Sequence, residues 1–210
     1  MKLFDAAWAP SPRRVRIYLQ EKGLEIDRVI IDLRRGEHLL PDYLKINPRG
    51  QLPALLLDDG TLIDDSIAIC RYFEWQHPDP PLFGRDAREA GLVEAWLRRI
   101  EEDCYAAAVS AFRNGSKAFA DRALPGEWPP ISQIPALAER GRLMWGAFAD
   151  ILERHLRRHS YVAGDGFSFA DIAAIVAIDF GISIKLADPR DRPAIALWHA
   201  GLSARPSMSA

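Results

Sequence analysis

Three short stretches of this chain hold residue types and spacings that suit one kind of ligand, a small anionic peptide carrying a thiol. The thiolate of such a ligand needs hydrogen-bond donors. A helix N-terminus supplies them, through N–H groups without an intrahelical partner and through the helix dipole. A free α-carboxylate needs a second terminus of that kind. The peptide group can pair with an exposed stretch of backbone, as an added strand does. The turn Trp8-Ala9-Pro10-Ser11-Pro12 lies between an apolar run and a helical pattern, and Ser11 carries its only hydroxyl. Asp64-Asp65-Ser66 opens another helical pattern. An acid and a serine there are also good N-capping chemistry, and a cap and an anion site use the same terminus. The third stretch, "NPRGQLP" over residues 47–53, ends on a proline that opens the apolar run Ala54-Leu55-Leu56-Leu57. Proline lacks an N–H, so it is tolerated at a strand's first residue, an edge or a bulge. A cis Leu52–Pro53 bond would turn the backbone edge before it outward, although cis bonds are a minority even before proline.

The elements that must position these stretches read as β-α-β-α-β-β-α over residues 1–76. "KLFDA" is a first strand. "PRRVRIYLQEKG" is a helix with Val15, Ile17 or Tyr18, and Leu19 on one side and Gly23 as its stop. "DRVIIDL" is a second strand, and "EHLLPDYLKIN" a short irregular helix broken by Pro41. "ALLL", the turn Asp58-Asp59-Gly60 and "TLI" make a hairpin, and "DDSIAICRYFEWQ" closes the unit as a helix. Pro78, Pro80, Pro81 and Gly84 mark a linker, beyond which no segment reads as a strand. Long helical patterns span 87–112 and 134–159, a strongly apolar one spans 168–182, and a short last helix precedes the tail. The expectation is an α/β domain over 1–77, a linker over 78–85 and an all-helical domain over 86–210.

Composition narrows the function classes. The 210 residues are 49% hydrophobic and 27% charged, with a net charge of −2, as in an ordinary soluble globular protein. Nothing there calls for a nucleic acid or a membrane as partner. "MKLFDAAWAP" has an early acid and no long apolar stretch, so it reads as neither signal peptide nor anchor. The two cysteines, Cys70 and Cys104, sit in apolar helical patterns and read as buried free thiols, which fits a reducing cytoplasm. His155 and His159 have the i,i+4 spacing of a metal pair, but "ERHLRRH" reads better as a basic helix end complementing the dipole, so no metal is expected. Ser168 and Asp171 in "SFADIAA" form a capping box and are assigned to folding.

"GEHLLPDYLKINPRGQLPALL", followed by "DDSIAICRYF", the Pro-rich linker and the helical half with "SFADIAA", resembles the cytosolic glutathione transferases over essentially the whole chain. The resemblance implies an N-terminal thioredoxin-like domain on a C-terminal helical bundle, a cytoplasmic homodimer, and glutathione as co-substrate without a metal. The implied activity is conjugation of the glutathione thiolate to a small hydrophobic electrophile. A glutathione-dependent isomerase, dehalogenase or ether-cleaving enzyme on the same scaffold, or a binding module without turnover, are the alternatives. Residue by residue, the resemblance implies that Leu52, before Pro53, pairs through its backbone with the cysteinyl part. Asp65 and Ser66 would hold the γ-glutamyl end, and His38 would approach the glycyl carboxylate with Arg49 and Gln51 beside it. Similar bacterial sequences of serine type, delta-theta-zeta-like, carry a serine where this chain has Ala9. That departure leaves Ser11, the Trp8 N–H or backbone N–H groups to face the sulfur, with helix N-cap before Pro12 as the other role for Ser11. The loop has no cysteine, so mixed-disulfide chemistry is not implied. The electrophile would lie between the domains, against Trp8 and aromatics such as Tyr105, Phe112 and Phe119. Glu101 to Asp103 would reach the partner's γ-glutamyl ammonium, or face solvent.

Overall fold

The computed structural model describes residues 1–210. Two compact units make up the chain. One comprises Met1–Pro80 with Leu124–Pro129 and Ser209–Ala210; the other comprises Pro81–Ala123 and Pro130–Met208.

The first unit runs β1 (Lys2–Asp5), α1 (Pro10–Glu21), β2 (Arg28–Ile30), a 3-10 turn over Glu37–Leu39, α2 (Pro41–Leu44), β3 (Ala54–Leu56), β4 (Leu62–Ile63) and α3 (Ser66–Gln76). This is the thioredoxin-like order that the resemblance implies. The sheet order is β2-β1-β3-β4, with β1 parallel to β2 and antiparallel to β3, and β3 antiparallel to β4. Leu3, Phe4, Ala54 and Leu55 of the central strands are buried, whereas all of edge strand β2 is exposed. The hairpin at Asp59-Gly60 closes with Leu57 N donating to Thr61 O at 2.9 Å. Pro41 does not break a helix but starts one, its fixed φ suiting the first helical position. Helix α1 packs against α3 and buries Val15, Ile17, Tyr18 and Leu19.

In the second unit, α4 (Ala87–Arg99) continues through a π-helical turn over Ile100–Tyr105 into α5 (Ala106–Gly115). The long helix expected over 87–112 is therefore continuous, with one wide turn in its middle. It is followed by α6 (Pro135–Leu156), α7 (Phe169–Ser183) and α8 (Pro193–Ser203). Helix α7 is buried on every side from Phe169 to Ile178, the mark of a central bundle helix. Its capping box holds. Asp171 Oδ2 accepts the Ser168 N–H at 3.0 Å and the Ser168 hydroxyl at 3.1 Å, and Oδ1 accepts Val162 N at 2.9 Å and Trp198 Nε1 at 3.0 Å. One buried carboxylate thus ties the 162 turn, α7 and α8 together. The rings of His155 and His159 stack 4.4 Å apart, and Trp96 lies 4.5 Å from His155. No group of three or more His, Cys, Asp or Glu side chains is arranged to hold a metal ion. No helix is long and apolar enough to cross a membrane.

Candidate functional site

The first of the three stretches singled out in the sequence is the start of α1. The helix begins at Pro10, with Ala9 as its N-cap, so Ser11 is not the cap that its position before Pro12 suggested. Ser11 is the second helical residue. This shift has a chemical consequence. Pro10 and Pro12 carry no N–H, and Arg13 N is bonded to Ala9 O at 3.2 Å. Ser11 is therefore the residue of the first turn that brings both an amide and a hydroxyl to the helix start. The loop before it is pinned by Arg16, a buried guanidinium inside α1. Arg16 Nη1 meets Asp5 Oδ1 at 2.6 Å and Ala6 O at 3.2 Å, while Nη2 donates to Ala7 O at 2.8 Å. Trp8, next in the chain, is 56% exposed, with the Arg34 guanidinium 5.7 Å from its ring.

The peptide edge lies before Pro53, and the Leu52–Pro53 bond is cis. Two buried side chains that sequence reasoning passed over set its direction. Tyr43 Oη donates to Gln51 O at 2.6 Å and Asn47 Nδ2 donates to the same oxygen at 2.9 Å. Tyr43 and Asn47 are 4% and 1% exposed. Burial is the main reason the Tyr43 phenol is pushed above its ordinary pKa, so it stays a donor. The C=O and N–H of one trans peptide point in opposite directions. Anchoring Gln51 O on the inside turns the Leu52 N–H outward. Asn47 Oδ1 also accepts Arg49 N at 3.0 Å, an Asx-turn whose sequence signal is the Asn-Pro pair itself.

At the start of α3, Asp65 is the N-cap, and its Oδ1 accepts Ile67 N and Ala68 N at 2.9 Å each. Ser66, the first helical residue, is buried and supplies the amide and hydroxyl at this terminus. The neighbouring Asp64 Oδ2 pairs with Arg49 Nη1 at 3.2 Å, and Arg49 Nη2 donates to Gln51 Oε1 at 3.3 Å. The structure thus joins Arg49 and Gln51 to each other and to the mouth of α3. His38 is buried in the 3-10 turn, and its carbonyl packs against Gly50, where a Cβ would stand 3.2 Å away. Gly50 has φ +58, which favours glycine in any case.

In the helical unit, Phe112 meets Phe119 at 4.8 Å and Phe180 at 6.0 Å, and Tyr105 meets Phe180 at 5.8 Å. The three aromatics singled out in the sequence thus form one half-buried cluster. Its fourth member, Phe180, gave no signal because α7 is apolar all round and offers no phase to read.

Comparison with known proteins gives these features a family. Residues 8–76 match the glutathione S-transferase N-terminal domain, and residues 144–206 match the glutathione S-transferase C-terminal domain. Glutathione S-transferase 2 of Saccharomyces cerevisiae is 33% identical over 214 residues, covering 99% of this chain and 88% of the relative. A glutathione S-transferase domain-containing protein of Marinobacter aquaeolei superposes with a TM-score of 0.89 at 30% identity, covering 99% of this chain and 100% of that one. A class Gtt2 glutathione S-transferase of Vibrio parahaemolyticus gives 0.85 at 32% identity over 100% and 96% of the two chains. The chain belongs to the glutathione S-transferase family, and its activity is the conjugation of glutathione to electrophiles.

Proposed function

We propose that glutathione lies along the first unit, with its γ-glutamyl carboxylate on the Ser66 amide and hydroxyl and its ammonium near Asp65. Its cysteinyl backbone pairs with Leu52, before Pro53, and its glycyl carboxylate meets His38, Arg49 and Gln51. The sulfur faces the start of α1. There the Ser11 amide and hydroxyl stabilise the thiolate, as in a serine-type transferase, with Trp8 flanking the reacting atom. A free thiol has a pKa of about 8.5, so donors to the sulfur raise the thiolate fraction at neutral pH. Thiol activation and proximity then account for catalysis.

The observation that carries this reading is the anchoring of Gln51 O by Tyr43 and Asn47, which sends the Leu52 N–H outward. A small hydrophobic electrophile is received by the Tyr105, Phe112, Phe119 and Phe180 cluster. Residues 1–77, within the first unit, are the glutathione-binding domain; 78–85 is the linker, and 86–210 is the helical domain apart from 124–129 and 209–210, which pack with the first unit. The protein acts as a cytoplasmic homodimer in which Glu101 to Asp103 approach the partner's γ-glutamyl ammonium. Retention on glutathione-agarose and conjugation of chlorodinitrobenzene test the site. Ser66→Ala should weaken glutathione binding while leaving the electrophile KM unchanged. Equal glutathione affinity for Ser66→Ala and the parent would count against the pose. Sedimentation as a monomer at micromolar concentration would count against the dimer.

A further inference from the structure

We infer that residues 124–129 form a strap that holds the Arg49–Gln51 turn in its binding shape and so sets a preference for the full tripeptide over a γ-glutamyl dipeptide. The inference rests on the reading that Arg49 and Gln51 serve the glycyl carboxylate. Glu127 N donates to Arg49 O at 2.8 Å, and Gln51 Nε2 donates to Pro125 O at 3.1 Å. The strap lies too close to the turn for a side chain at Gly126, where φ is +89. A Cβ there would stand 2.4 Å from Arg49 O and 2.8 Å from Gln51 Cγ. A Cβ on Gly50 would be 3.2 Å from Glu127 N, so backbone meets backbone. The Trp128 indole N–H ties the strap to itself through Pro125 O at 2.9 Å. The flanking residues are bonded to one another, with Ala123 N to Ile131 O at 3.1 Å and Ile131 N to Asp121 O at 2.8 Å, which closes the loop at its base.

The contact with Pro125 decides which way the Gln51 amide faces. Pro125 O accepts only from a donor, so Nε2 points to the strap and Oε1 to Arg49. Arg49 Nη2 then donates to Oε1 at 3.3 Å while Nη1 pairs with Asp64 at 3.2 Å, and the guanidinium is held at both ends. Tyr43 and Asn47 hold Gln51 O from the inside; the strap holds Arg49 O and the Gln51 amide from the other side. Such preorganisation lowers the ordering cost of binding. It acts on the end of the ligand that the guanidinium serves, because Tyr43 and Asn47 hold Gln51 O, and with it the Leu52 N–H, without the strap; Gly126 and the Glu127 amide are therefore positioning elements for the glycyl subsite.

The test compares glutathione with γ-glutamylcysteine, which lacks the glycine, in conjugation of chlorodinitrobenzene. Gly126→Ala removes the close approach, and Glu127→Pro removes the amide donor. Both should raise the glutathione KM about fivefold, the scale of one neutral hydrogen bond, with kcat held. The constants for γ-glutamylcysteine should not move. Glu127→Ala keeps the amide and so separates loss of the donor from loss of the side chain; its effect on the glutathione KM should be smaller than that of Glu127→Pro. A KM ratio between the two peptides that stays at the parent value in both strap variants overturns the inference, as does a Glu127→Ala effect equal to theirs. Arg49→Ala separates the two readings, because the strap uses the Arg49 carbonyl and not its side chain. If Arg49→Ala lowers the preference and the strap variants do not, the strap inference alone fails. If Arg49→Ala leaves the preference intact, the glycyl-subsite reading fails and the strap inference falls with it.

Discussion

Replacing Arg16 by methionine removes one charge from a pair that is almost wholly out of water. Arg16 is 8% exposed and Asp5 is 1% exposed. The two meet at 2.6 Å, and the Asp5 carboxylate is otherwise approached by Arg28 at 3.4 Å, whose side chain is half exposed. Stranding a buried charge in this way costs about 3–5 kcal/mol. Replacing both members by apolar residues of similar size is often close to neutral, so Asp5→Leu combined with Arg16→Met should regain most of that loss. The expected coupling between the two substitutions is roughly 2 kcal/mol or more in favour of the double variant. Urea unfolding followed by tryptophan fluorescence reads it.

Activity should behave differently. The bonds from Arg16 to Ala6 O and Ala7 O, which pin the loop before Ser11, are lost in the single and the double variant alike. Misplacing a reacting group by about 1 Å can cost up to about a hundredfold, and kcat/KM should fall about tenfold in both. Stability restored without activity is therefore the expected pattern. A single variant that loses less than about 1 kcal/mol would refute the buried-pair reasoning, and so would additive losses in the double variant. A double variant with full activity would refute the role given to the loop anchors.

Three further outcomes follow from the geometry. Asp171→Ala leaves the buried donors at Val162, Ser168 and Trp198 without their acceptor, and thermal unfolding should show a loss of about 3 kcal/mol or more. Tyr43→Phe removes one donor to Gln51 O but keeps the ring packed at 5.8 Å from Phe4; the glutathione KM should rise about fivefold with kcat unchanged, read by steady-state kinetics. Cys70 and Cys104 are fully buried, and burial pushes the Cys70 thiol well up, so an aromatic disulfide reagent should label neither until urea unfolds the chain.

Much of the fold was legible because its signals are local. Asp-Gly between two apolar runs, Asp-Ser before a periodic stretch and the Ser168 and Asp171 box each carry their own chemistry within a few residues. At Asp65 and Ser66 the cap was legible, since an acid and a serine before a periodic stretch are capping chemistry, and the proposed anion site uses the same terminus. The alternative role of Ser11 as a cap does not hold: proline at either Pro10 or Pro12 suits a first helical position, and only the backbone at Ala9 decides between them. Tyr43 and Asn47 went unremarked, since their role depends on a carbonyl that is distant for Tyr43 and local for Asn47, and tyrosine in a short helix looks like core. The strap lay further out of reach. "LPGEWP" reads as an irregular loop, and its docking on Arg49 and Gln51 joins segments far apart in sequence that no periodicity links.

The most direct test of the thiolate reading is the ultraviolet absorbance of bound glutathione against pH, in the parent protein and in Ser11→Ala. In the proposed pose Asp65, Ser66 and Leu52 hold the rest of the peptide, so both proteins should still bind it. A hydrogen bond to a charged group is worth about 1.5–3 kcal/mol, and one pKa unit corresponds to about 1.4 kcal/mol. The expected result is a bound thiol at least one unit below the free value of about 8.5 in the parent and a titration about one to two units higher in Ser11→Ala. Coincident titration curves for the two proteins would contradict the assignment of Ser11 to the sulfur.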